Sequence, residues 1–201
     1  MKPILFNTEM AKAILDGRKT TTRRVIKPQP VKFVEVSNGL LAGCRCDNLY
    51  PDYGGRLIKC PYEKGDILYV RETFCSAYDG EAYFYFADKC TNREQKKLLD
   101  YDDVCWRPSI HMPKEAARLF LRVTDVKAER LQDIDDEGAK SEGANINAGF
   151  EEKMRQGAID RFAEIWNSTV KKSDLGNYGW NANPWVWVIS FERCEKEGAV
   201  S

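Results

Sequence analysis

Four cations fall within seven residues, Arg18, Lys19, Arg23 and Arg24, around the run Thr20-Thr21-Thr22. A cluster of this density can hold phosphate or another anion. Tyr69, Phe74 or Trp106 could stack a base beside it. Glu72 belongs to a segment, 67–73, in which Leu68, Val70 and Glu72 alternate with Ile67, Tyr69 and Arg71. That period puts a carboxylate on the same face as two core-type residues, where it needs a cation such as Arg71, Arg24 or Arg107. The only histidine is His111, so Ser-His-Asp chemistry could use that residue alone, and a His-rich catalytic metal site is excluded. Cys44-x-Cys46 followed by Cys60 supplies three soft ligands for a structural zinc, with Cys75, Cys90 or His111 as a fourth. The usual Cys-x2-Cys pairs are missing, and scattered free thiols are the plainer reading of seven cysteines.

The elements that must position these groups are short. Residues 3–6 read as a strand, followed by a helix with Asn7 or Thr8 as cap, Met10, Ala13 and Ile14 as apolar stripe, and Gly17 as its left-handed stop. Residues 18–24 read as a polar, basic turn, and Pro28-Gln29-Pro30 bars a continuing helix. Residues 37–65, rich in Gly, Cys, Tyr and Pro, read as an irregular insertion with bounds of about 32–64. Further strands are expected over 67–73, 83–86, 117–124 and 185–191, and helices over 131–142 and 151–168. Segment 106–113, with two prolines and no alternation, reads as an ordered loop. Within it, Arg107 is the residue best suited to a cleft, while His111 could touch a phosphate or base or simply pack. The tryptophans of 180–187 read as core.

The chain has 201 residues, 43% hydrophobic, enough for one ordinary core, so a single domain over 1–201 carrying the insertion is expected. Thirty-one Lys and Arg balance 31 Asp and Glu, which argues against a generally polycationic nucleic-acid binder. The balance is uneven locally. Residues 1–32 hold eight bases against Glu9 and Asp16, whereas 129–164 hold ten acids against five bases and read as a solvated acidic face. No apolar run approaches the roughly 18–20 residues that span a bilayer, and no signal-peptide core is present at the start. A cytoplasmic protein without a membrane partner is the expectation.

Five pieces carry a resemblance. They are Lys2-Pro3-Ile4-Leu5-Phe6, Gly17-Arg18-Lys19-Thr20-x-Thr22-Arg23-Arg24, Gly65-Asp66-x-Leu68-x-Val70-Arg71-Glu72-Thr73, Trp106-Arg107-Pro108-Ser109-x-His111-Met112-Pro113 and Trp180-x-Ala182-Asn183-Pro184-Trp185-Val186-Trp187. In this order and spacing the chain resembles the ASCH-domain proteins of the PUA-like superfamily, in particular the longer forms encoded by bacteriophages and prophages. The resemblance implies a mixed α/β (α+β) fold, a PUA-like twisted β-barrel with flanking helices and a cleft beside the first helix. It also implies an RNA, nucleotide or nucleoside partner. Some small bacterial relatives deacetylate N4-acetylcytidine through a Lys-Thr-x-Thr segment and a strand glutamate, which correspond here to Lys19, Thr22 and Glu72. The chain departs from them in its length, its cysteine-bearing insertion and its Arg23-Arg24 pair.

On that correspondence, Thr22 attacks the acyl carbonyl, Lys19 takes its proton, and Glu72 assists the leaving amine; no cofactor is required. Burial and neighbouring cations would lower the pKa of Lys19, whereas a nearby carboxylate would raise it. Two other readings use the same residues. A noncatalytic RNA-binding module would employ Arg18, Arg23, Arg24, Tyr69, Trp106, Arg107 and His111 as ligands, and a ribonuclease would use Lys and Glu in a cationic cleft. The structural alternative is a solvated turn after a helix, with Glu72 in a plain ion pair.

Overall fold

The computed structural model describes residues 1–30, 32–36, 40–44, 58–77, 82–88, 105–144 and 157–196. It is a mixed α/β protein. In chain order the elements are β1 (Lys2–Leu5), α1 (Thr8–Leu15), β2 (Thr21–Val25), β3 (Lys32–Val36), β4 (Leu40–Cys44), β5 (Ile67–Arg71), β6 (Phe74–Ala77), β7 (Ala82–Tyr85) and β8 (Phe120–Arg130). There follow α2 (Asp136–Ser141), α3 (Ala158–Thr169), α4 (Leu175–Tyr178) and β9 (Trp185–Cys194). One sheet has the order β1-β5-β8-β9-β2, and β3–β4 and β6–β7 form two-stranded sheets. The described strands form no closed barrel. Among the described residues no helix is long and apolar enough to cross a membrane.

The chain divides into two compact units. The first comprises Met1–Arg18, Gly65–Arg122 and Glu192–Ser201. Here β1 runs parallel to β5, with Ile4 opposite Val70, and β5 runs antiparallel to β8, with Leu68 opposite Leu121. The Asn7 side chain caps α1 by accepting from the Met10 amide at 2.9 Å, and Ala11, Ala13 and Ile14 bury its apolar face. Gly17, at φ 72°, lets the Arg18 amide turn back to the Ala13 carbonyl at 2.8 Å and so ends the helix. Ile67, Phe74, Met112, Ala116, Ala117 and Phe120 form an apolar cluster that Tyr69, Tyr83 and Tyr85 border.

The second unit comprises Lys19–Lys64 and Val123–Phe191. In it β2 pairs antiparallel with β9, with Thr22 opposite Ile189. Its apolar cluster gathers Leu131, Ile134, Ala139, Phe162, Trp166, Val186 and Val188, so α2 and α3 share one core with β9. The Asp135 side chain accepts from the Gly138 amide at 2.7 Å and starts α2.

Three expectations need correction. The basic turn at 18–24 contains a strand, β2, in which Arg23 is buried and met by carboxylates from elsewhere in the unit. The segment read as irregular, 32–64, includes the β3–β4 hairpin, with Val34 opposite Ala42. The helix expected over 131–142 is split, because Leu131–Asp133 form a 3-10 turn and α2 starts only at Asp136.

Candidate functional site

Lys19 and Arg23 converge on one carboxylate that the sequence reading left on the acidic surface. Glu142 follows the last turn of α2 and is buried. Lys19 lies two residues before β2, and its side chain has no exposed surface. The Lys19 Nζ donates to the Glu142 carboxylate at 2.5 Å, to the Glu142 carbonyl at 2.9 Å and to the Thr21 carbonyl at 2.7 Å. Three donors thus meet three acceptors. The chain is held at this point by the Thr20 amide on the Ser141 carbonyl and by the Phe191 amide on the Thr20 carbonyl, both at 2.9 Å.

Arg23 takes the second oxygen of Glu142, with Nη1 at 3.3 Å from Oε1. Its Nε and Nη2 both donate to Glu129 Oε1, at 3.0 and 2.5 Å, and its guanidinium lies 5.8 Å from the centre of the Phe162 ring. Gly138 makes room for this arrangement: a Cβ there would come within 2.9 Å of Asp135 Oδ1 and 3.4 Å of Arg23 Nη2. Thr22, in the same strand, is buried as well. The apolar surroundings act on the charges. Burial pushes the pKa of Lys19 below its usual value; Glu142 pulls it upward and Arg24 and Arg23 push it further down. Arg24 is shifted down too, chiefly by burial and against the attraction of Glu142 and Tyr62.

This geometry supports proton transfer. One proton moving along the 2.5 Å contact from Lys19 to Glu142 turns a buried ion pair into a neutral amine and a neutral acid, the pair of states that burial favours. A neutral lysine amine is able to act as a base.

Glu72 lies in the other unit, just after β5, and is 1% exposed, as its place in the alternation implied. Its partner is Arg118. The guanidinium grips both carboxylate oxygens, Nε at 2.9 Å and Nη2 at 3.1 Å, while Nη1 reaches Asp88 at 2.5 Å. Arg118 also stacks 3.9 Å from the Tyr85 ring centre, and the Tyr85 hydroxyl donates to the Ala116 carbonyl at 2.7 Å. The pKa of Arg118 is raised: burial opposes its charge, and the hydrogen bonds to Glu72 and Asp88 outweigh it.

The remaining candidates separate in the same way. Arg18 pairs with Asp16 on the surface at 2.8 Å. Tyr69 borders the apolar cluster of the first unit, and Trp106 meets Phe86 edge-on at 5.0 Å between centroids. Residues 106–113 are ordered as expected, with a 3-10 turn at Ser109–His111. Arg71 pins this turn through the Met112 carbonyl at 3.0 Å and the Ile110 carbonyl. Arg107 and His111 are exposed on it, so His111 is not a packed core histidine. Of the tryptophans read as core, Trp187 is buried, but Trp185 is partly open and carries the Arg130 guanidinium 4.5 Å from its ring centre.

The zinc candidates Cys44, Cys46 and Cys60 are not assembled by what is described: Cys46 and the Cys44 side chain lie outside the described residues, and Cys60 is half-buried. Among the described residues no group of three or more His, Cys, Asp or Glu is arranged to hold a metal ion. Sequence reasoning missed Glu142, Glu129 and Arg118. The available signal for Glu142 was its position one residue before the helix-stopping Gly143, at φ 87°, where the chain folds back on the core. No family model, no curated protein and no solved structure matches this chain.

Proposed function

We propose that this protein is an RNA- or nucleotide-directed amidohydrolase of the ASCH type, built on a PUA-like core, that removes an acyl group from a modified nucleobase such as N4-acetylcytidine. The observation that carries the reading is the buried Lys19 ammonium, pushed toward its neutral form by burial while joined at 2.5 Å to a carboxylate able to take its proton. In the proposed reaction Lys19 passes a proton to Glu142 and accepts the Thr22 hydroxyl proton as Thr22 Oγ1 attacks the acyl carbonyl. The tetrahedral intermediate collapses as Lys19 returns that proton to the departing exocyclic amine. Water then hydrolyses the acyl-threonine, with Lys19 again the base. Arg23, by bonding the other oxygen of Glu142, fixes the carboxylate that receives the proton. The mechanism needs no cofactor.

The resemblance assigns the carboxylate role to Glu72; the contacts of Lys19 favour Glu142. Hydrolysis of N4-acetylcytidine by the purified protein tests the reading, with Lys19→Ala, Thr22→Ala, Glu142→Gln and Glu72→Gln in parallel. Loss of turnover in folded Lys19, Thr22 and Glu142 variants is expected. Full turnover by Thr22→Ala would sink the mechanism.

A second reading, a noncatalytic RNA-binding module, draws on the exposed Arg107 and His111 on their pinned turn. It loses Arg23 as a phosphate ligand, because Glu129 and Glu142 already occupy that guanidinium. Retained RNA affinity in Thr22→Ala, with no turnover by the wild type, would favour it.

A further inference from the structure

We propose that Glu129 is a positioning residue that sets how tightly Lys19 holds its proton, acting through Arg23 and Glu142. The inference rests on the reading of Lys19 as the proton-transfer group and adds to it the residue that regulates that proton. Two carboxylates of the second unit compete for one guanidinium. Glu129 Oε1 accepts from Arg23 Nε at 3.0 Å and from Nη2 at 2.5 Å, whereas Nη1 lies 3.3 Å from Glu142 Oε1. Arg23 is thus drawn toward Glu129. Glu142 keeps its charge for Lys19, whose Nζ lies 2.5 Å from Oε2.

Charge balance gives the reason for a second acid. Lys19, Arg23 and Glu142 are all buried, so without Glu129 two cations would share one carboxylate out of water. Arg23 cannot shed its proton at ordinary pH, and the excess charge would fall on Lys19, which can. With Glu129 neutral, the guanidinium is also free to close on Glu142 and weaken that carboxylate's hold on the ammonium. Both effects have one sign: Glu129 tightens the grip of Lys19 on its proton. The other charges around the centre are few. Lys19 also feels Arg24, which Tyr62 acts on in turn. Lys127, exposed on the strand of Glu129, lies 3.1 Å from Glu129 Oε2 and tempers it. From α2, the Asp135 side chain is engaged as cap by the Gly138 amide, and α3 presents the Phe162 ring to Arg23.

The test follows the Lys19 ε-carbon by NMR against pH in wild type, Glu129→Gln, Arg23→Gln and the double variant, with turnover of N4-acetylcytidine measured alongside. Glutamine keeps the outline of Glu129 and an acceptor for Arg23, so Glu129→Gln removes the charge and little else. The midpoint is expected to fall by at least ~0.5 pH units in Glu129→Gln, and by less than ~0.2 when the same change is made in Arg23→Gln. An unmoved or raised midpoint in Glu129→Gln overturns the proposal, as a purely structural ion pair would give. An equal fall in both backgrounds also overturns it, because Glu129 would then act through space and not by way of Arg23. If Glu129→Gln does not fold, Lys127→Ala decides instead. It frees Glu129 to draw Arg23 harder and should raise the midpoint by ~0.2 pH units, and an unmoved or lowered value there overturns the proposal. On the hydrolase reading, the pH profile of kcat in Glu129→Gln moves down with the midpoint while KM holds. A wild type that does not hydrolyse the acylated nucleoside ends that reading, and the midpoints still decide the role of Glu129. Turnover with unmoved midpoints ends the role of Glu129 alone.

Discussion

Each unit buries one charged cluster, and the two are built to opposite ends. In the first, the fully buried member is an acid, Glu72, and its cation is an arginine whose fork takes both carboxylate oxygens. Asp88 and the Tyr85 ring complete the surroundings of Arg118, and its pKa is raised. Such a guanidinium stays charged at any ordinary pH, so the cluster is a clasp. In the second, the fully buried member is a lysine, and its pKa falls although a carboxylate lies 2.5 Å away. An ammonium on which burial outweighs its counter-ion holds its proton less tightly than an ordinary lysine. Opposite charges held together out of water make a fastener in one unit and, on the proposed reading, a titratable centre in the other. What separates them is that the second buries its cation along with its acid, and that this cation is a lysine, which can deprotonate.

The largest expected effect breaks the second cluster. Glu142→Gln leaves the buried Lys19 ammonium without its countercharge and should cost about 3–5 kcal/mol in urea unfolding. In whatever fraction stays folded, the proposed mechanism predicts turnover at least ~1000-fold lower, since it gives Glu142 the part of proton acceptor. Glu72→Gln is the contrasting experiment. Arg118 keeps Asp88 and part of its hydration, so the loss should be about 1–3 kcal/mol, with turnover within about threefold of wild type. Turnover lost equally in both would move the carboxylate role to Glu72 and erase the contrast.

The pH dependence sharpens it further. Turnover should rise with pH through the depressed pKa of Lys19 and level off before 10.5, the ordinary lysine value. Stability has the same sign. Between the depressed folded value and 10.5 the unfolded chain binds more protons than the folded one, so the wild type should gain stability with rising pH relative to Lys19→Met. A gap that is flat across that window would show that the lysine is not destabilised. The smallest effect is at the surface: Arg18→Ala, which removes an exposed pair with Asp16, should change stability by less than about 1 kcal/mol.

Much of the first cluster was legible in the chain. The alternation through Leu68, Val70 and Glu72 marked a buried carboxylate, and the caps at Asn7 and Gly17 marked α1. Arg118 was not legible as its partner, because strand pairing and not local spacing brings it there. The second cluster was legible only by half. Lys19 and its threonines stood out by type, but β2 has no apolar period, since Thr22 and Arg23 are buried one after the other. Such a strand reads as a turn until the carboxylates that cover it are known. Glu142 was hidden for the complementary reason. Its neighbours Asp135, Asp136 and Glu137 are exposed, and nothing in an acidic run tells which member the fold turns inward.

The claim that the second cluster is a proton-transfer centre and the first a clasp is tested most directly at Lys19 itself. The measurement is an NMR titration of the Lys19 ε-carbon in lysine-labelled protein, assigned by comparison with Lys19→Met. The account predicts a midpoint below 10.5 that falls further when Glu142→Gln removes the carboxylate. A midpoint at or above 10.5 in the wild type would contradict it, leaving Lys19 and Glu142 a permanent ion pair of the same kind as Arg118 and Glu72.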